Sequence, residues 1–145
     1  IYVAAILGLA IVVTQTGIGP AVGEALLRIM PLDADRPFTS FLALTGITTA
    51  LNFIMTANGV PALYTTLAQS FSDATGFPLL SVIMIQVLGY STPLLPYQAS
   101  PIVVAMGLGK VPARAGMVLC LALAIATYLV LLPLDYLWFS VLGKL

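Results

Sequence analysis

Two stretches decide the reading: Met55-Thr56-Ala57-Asn58-Gly59-Val60-Pro61, and Ser91-Thr92-Pro93-Leu94-Leu95-Pro96-Tyr97-Gln98 continued by Ala99-Ser100-Pro101. Each falls near the middle of a charge-free run of 36 residues, 37–72 and 74–109. A straight helix of that length would extend roughly 54 Å, whereas the hydrocarbon core of a bilayer is about 30 Å thick. Each run must therefore bend back, break or leave the membrane, and the Gly- and Pro-bearing polar stretches mark where. Proline removes a helical hydrogen bond and clashes with the preceding turn, and glycine permits backbone conformations that other residues avoid. Non-helical backbone at membrane depth persists only where it is buried in protein or lines a wet cavity. Two interruptions in so short a chain point to a functional site inside the membrane.

The rest of the sequence sets that membrane. Of 145 residues, 61% are hydrophobic and only 7% charged, with mean hydropathy +1.12. Soluble domains carry about 25% charged residues, so this chain is solvated by lipid. Its zero net charge argues against nucleic acid as a partner. The single cysteine, Cys120, excludes an intrachain disulfide, and the absence of histidine removes the commonest general base and metal ligand. No nucleophile–base pair or metal cluster is visible, so an enzyme is not expected. The sequence opens at Ile1 inside an apolar run, which reads as a fragment or a trimmed chain; Tyr136, Trp138 and Lys144 after the last apolar run read as interfacial anchors.

The expected architecture is an all-α integral membrane domain over 1–145. Residues 1–16 form a transmembrane helix. Residues 20–30 form an interfacial amphipathic helix, with Val22, Ala25, Leu26 and Ile29 on one side and a Glu24–Arg28 pair on the other. Residues 38–72 form a re-entrant helical hairpin with its tip at 56–60, and 77–109 a transmembrane helix broken into two halves. The charge-free run 115–134 has the length of one ordinary crossing. A re-entrant hairpin returns to its starting side, so residues 24–37, Asp73 and the C-terminus share one side and Lys110 and Arg114 lie on the other.

Chemistry follows from the breaks. A helix starting after Asn58-Gly59 presents unpaired N–H groups and a positive dipole end, suited to a carboxylate or sulfate. The carbonyls ending the preceding arm suit Na⁺. Pro61 in the first turn of the second arm is tolerated because its missing N–H had no partner there. Pro93, Pro96 and Pro101 shape the second break around Tyr97, Gln98 and Ser100. Threonines in the arms also serve as ordinary glue between membrane helices. Gly107 and Gly109 read as the end of a half-helix, Gly89-Tyr90 as packing, and Cys120 as an inert apolar residue. The apolar segments hold no carboxylate that could relay a proton.

The runs Asn52-Phe53-Ile54-Met55-Thr56-Ala57-Asn58-Gly59-Val60-Pro61-Ala62 and Leu94-Leu95-Pro96-Tyr97-Gln98-Ala99-Ser100-Pro101 resemble the C-terminal half of the divalent anion:sodium symporter family, within the ion transporter superfamily. The resemblance covers essentially the whole chain and extends the last segment to 112–140. It implies the C-terminal inverted-repeat half of an elevator-type, homodimeric secondary transporter, multi-pass in the cell (inner or plasma) membrane, moving dicarboxylates, citrate or sulfate with Na⁺. It implies substrate contacts from Thr56, Asn58, Gly59, Ser100 and Pro101, and Na⁺ contacts from Thr56, Ala57, Asn58, Gln98 and Ala99. The family's hairpin tip reads Ser-Asn-Thr; here Asn58 matches, whereas Ala57 and Gly59 replace the two hydroxyl residues, and Ser100-Pro101 stands for Thr-Pro. A Na⁺/H⁺ antiporter or arsenite-type permease of the same superfamily, and a non-transporting structural subunit, are the alternatives.

Overall fold

The computed structural model describes residues 25, 28, 32, 34–54 and 57–145, and over these the chain is helical with no strand. The expected helices 1–16 and 20–30 lie outside the described residues, apart from Ala25 and Arg28, which are exposed on helical backbone.

Helix α1, Pro37–Ile54, starts on a proline, which suits a first turn whose N–H groups have no partners. Its buried face repeats at helical spacing through Phe41, Leu44, Thr45, Ile47, Thr48, Leu51 and Asn52. The hydroxyls on this helix turn inward: Thr45 donates to the Phe41 carbonyl (3.0 Å), and Thr48 and Thr49 each donate to the Thr45 carbonyl (2.9 Å). After a turn at 57–59, α2 runs Val60–Thr75 with Pro61 in its first turn. It ends on Gly76, whose left-handed φ of 73° lets its N–H close on the Ser72 carbonyl at 2.9 Å. Helix α3, Leu79–Ser91, leaves α2 at a bend of 117°.

These three helices share one core, in which Phe41, Leu44, Ile47, Val60, Tyr64, Phe71, Val82 and Ile85 are fully buried. The α1–α3 contact is close because Gly89 lies directly over Thr48. A Cβ added there would overlap the Thr48 side chain and stand 2.8 Å from the Thr45 carbonyl oxygen.

Beyond the second break, a 3₁₀ turn, Pro96–Gln98, leads into α4, Ser100–Leu108. The next helix, α5, Ala113–Ala126, packs its Gly116 against Met106 of α4. It then continues through a π turn, Thr127–Leu131, into α6, Leu132–Val141. The sequence suggested an ordinary crossing here, and Pro133 explains the difference. In a regular α-helix its ring would meet the Leu129 carbonyl. The wider turn, in which the Leu132 N–H reaches the Thr127 carbonyl, accommodates the ring without ending the helix.

Among the described residues two helices are long and apolar enough to cross a membrane: Pro37–Ile54 and the 29-residue Ala113–Val141. They become three if α2 and α3 count as one bent span. Aromatic contacts set the first two antiparallel: Phe38 and Phe41 meet Tyr136 edge-on, with centroids 4.9 and 5.5 Å apart, and Thr49 meets Tyr128 further along. Ala34 lies near Gly76, so the start of α1, the end of α2 and the end of α6 gather at one end of the bundle. From there α1 reaches about 27 Å, whereas the α5–α6 helix spans about 43 Å. The 57–59 turn beyond its end thus stops roughly 15 Å short of the other end.

Candidate functional site

The two interruptions dock on one another. The Ala57 N–H donates to the Gln98 carbonyl at 2.9 Å, joining the tip of the α1–α2 hairpin to the 3₁₀ turn. The Gln98 side chain, fully buried, completes the join. Its Nε2 donates to the Asn52 carbonyl (3.0 Å), and its Oε1 accepts the N–H groups of Leu94 (2.6 Å) and Leu95 (2.8 Å). The Tyr97 hydroxyl donates to the Phe53 carbonyl at 3.1 Å. Carbonyls 52 and 53 belong to the last turn of α1, where no intrahelical N–H follows. Leu94 and Leu95 belong to the segment that Pro93 and Pro96 keep from being helical. One glutamine therefore satisfies the polar backbone of both breaks, as buried backbone requires.

Asn52 adds a third link, donating from Nδ2 to the Tyr90 carbonyl at 3.2 Å near the end of α3. Its own Oδ1 is buried with no partner. Among the described residues two more buried oxygens are in the same condition, the Tyr64 hydroxyl on α2 and Gln86 Oε1 on α3. Each helix of the core thus contributes one uncompensated oxygen, and such groups are costly unless something binds them. Amide, hydroxyl and carbonyl oxygens are hard donors, suited to a small alkali cation or a water. Among the described residues no group of His, Cys, Asp or Glu gathers that could hold a metal ion.

The sequence-derived residues are distributed as follows. Thr56 lies outside the described residues. Ala57 is bonded to Gln98; Asn58 is exposed beside it, and Gly59 is half-buried at the start of α2. Gly59 has a right-handed φ of −83°, so the tip makes no use of glycine's left-handed freedom. Ala99 caps α4, its carbonyl accepting from Ile102 and Val103, and Ser100 and Pro101 follow, exposed, in the first turn. The single Ala57–Gln98 bond brings the 57–59 and 98–101 groups to one place. Both Gln98 oxygens accept N–H groups, which gives this residue a joining role that its sequence position did not reveal. Asn52 was legible only as a polar residue on an apolar arm; its place two residues before the end of α1 was the available signal.

No family model, curated protein or solved structure matches the chain. The class rests on fold and geometry: an all-helical protein, with helices compatible with membrane spanning, in which two helix interruptions are docked together.

Proposed function

We propose that the protein carries a small anion, a di- or tricarboxylate or sulfate, across the membrane together with Na⁺, as the C-terminal half of an elevator-type carrier. In this reading α1–α2 is a re-entrant hairpin and its tip, with the second break, is the binding locus. The observation that carries it is the buried, unpartnered Asn52 Oδ1 where the two breaks meet. It is an oxygen with nothing to bind, beside backbone that is kept irregular on purpose. The reading assigns the Asn58 amide and the Ser100 hydroxyl to the anion, with the start of α2 supplying the positive end of a helix dipole. Na⁺ takes oxygen ligands around Ala57, Asn58 and Ala99, and Asn52 Oδ1 extends that set.

The test is uptake of radiolabelled succinate, citrate or sulfate by proteoliposomes holding the full-length protein under an inward Na⁺ gradient. Uptake should depend on Na⁺, and Asn58→Ala should lower it about 10- to 100-fold, the effect of losing a hydrogen bond to a charged group. The variant should insert and melt as the parent does. Equal uptake with K⁺ in place of Na⁺, or by Asn58→Ala, would refute the assignment. Proton efflux driven by Na⁺ without anion uptake would assign the exchange reaction instead.

A further inference from the structure

The α4–α5 connection and the first turn of α5 carry two cations that the transport reading leaves unused. Lys110 and Arg114 are both exposed, and neither side chain has an ion pair or hydrogen bond among the described residues. No acidic residue lies between Asp73 and Asp135 in the sequence. Lys110 adopts φ 51°, the left-handed conformation at the helix end where glycine is the usual residue, while the Val111 N–H closes on the Met106 carbonyl at 2.9 Å. A lysine here costs stability relative to glycine, and it stands exposed two residues before Pro112, where a shallow groove begins. That groove has a volume of about 570 Å³, on the scale of ligand sites; Pro112 and Arg114 line one part of it, and Ala115, Val118, Leu119 and Ala122 line the rest. The apolar strip continues along the same helix through exposed Ile125 and Leu129. From Arg114 to Leu129 it runs roughly 22 Å, more than the ~15 Å depth of one leaflet. The Ala115 and Gly116 N–H groups are already committed to the Pro112 carbonyl, so the Arg114 and Lys110 side chains carry the recognition.

We propose that this groove binds an anionic phospholipid, with its headgroup phosphate on Arg114 and Lys110 and an acyl chain along Val118, Leu119 and Ala122. Charge complementarity selects the headgroup, and the strip's position on a helix long and apolar enough to cross the bilayer selects a lipid over a soluble anion. The inference does not depend on what the protein transports. The test is native mass spectrometry of the detergent-purified full-length protein, offered phosphatidylglycerol or phosphatidylcholine with the same acyl chains. The parent should keep a phosphatidylglycerol adduct at activation energies that strip phosphatidylcholine. A Lys110→Gly, Arg114→Gln double variant should lose the preference by about 30-fold, from roughly fivefold per basic residue. Because glycine suits the left-handed position, that variant should melt no lower than the parent in phosphatidylcholine, which separates lost binding from lost folding. Ala122→Trp, which fills the strip and keeps both charges, should also lose the adduct. Equal retention of the two lipids, an unchanged preference in the double variant, or a lipid-free pair of chains would each overturn the proposal.

Discussion

Gln98 joins two segments that are 46 residues apart, through its Nε2 bond to the Asn52 carbonyl. Replacing it by leucine keeps its bulk and strands the Leu94 and Leu95 N–H groups and the Asn52 carbonyl in the interior. The expected cost is about 2–4 kcal/mol, the penalty for leaving buried polar groups unmade. Gln98→Glu should be nearly as damaging, because a carboxylate oxygen would then face the Asn52 carbonyl. Reversible unfolding in mixed micelles measures both, and a loss below about 0.5 kcal/mol for leucine would mean that the breaks are held by something else. Gly89 is the second residue with no substitute. Gly89→Ala brings a methyl group against Thr48 and to 2.8 Å from the Thr45 carbonyl oxygen, forcing α1 and α3 apart for about 1–3 kcal/mol. Adding Thr48→Ala should restore little, since the Thr45 backbone oxygen stays where it is. Full rescue by that second change would place the strain in the threonine side chain alone.

At the scale of elements, the breaks were legible because proline and glycine act locally. Pro61 sits in the first turn of α2, and Pro93 and Pro96 bracket the unwound segment between α3 and α4, where a reading of charge spacing alone puts them. The end of α4 at Gly109 and the packing role of Gly89 were legible for the same reason. What joins the breaks was not legible. Hydrogen bonds from Gln98 and Asn52 arise from tertiary contact and leave no trace in periodicity. Neither did the π turn, because Pro133 can equally kink a helix, end it or widen one turn, and the neighbour decides. That neighbour is α1: the wide turn carries Tyr128, whose hydroxyl lies 2.7 Å from Thr49 Oγ1. Thr49→Val and Tyr128→Phe should therefore be coupled. A double-mutant cycle should give about 0.5–1.5 kcal/mol, in the range of hydrogen bonds between membrane helices. Additive effects would show that the α1–α6 aromatic seam alone holds the two helices together.

For the whole molecule the open question of sequence was how the chain threads the membrane, and the bundle's geometry turns it into a labelling experiment. The contacts of Phe38 and Phe41 with Tyr136, and of Ala34 with Gly76, put Arg36, Asp73 and Lys144 at one end. The α5–α6 helix, at about 43 Å, matches the roughly 40–45 Å thickness of a bilayer with its headgroups, so Lys110 belongs at the other. Cys120 is the sole cysteine and is buried, so a Cys120→Ala background accepts single cysteines at these four positions. A membrane-impermeant maleimide should label Arg36→Cys, Asp73→Cys and Lys144→Cys from one side and Lys110→Cys only from the other. Were α2 and α3 a single bent span, Asp73 would sit inside the membrane and resist the reagent from both sides. Asn58→Cys then measures depth. The tip stops roughly 15 Å short of the Lys110 end, so a cysteine there should react only through a water-filled path. Reaction as fast as at Lys110→Cys would instead put the tip in the headgroup region and make α1 and α2 two full crossings.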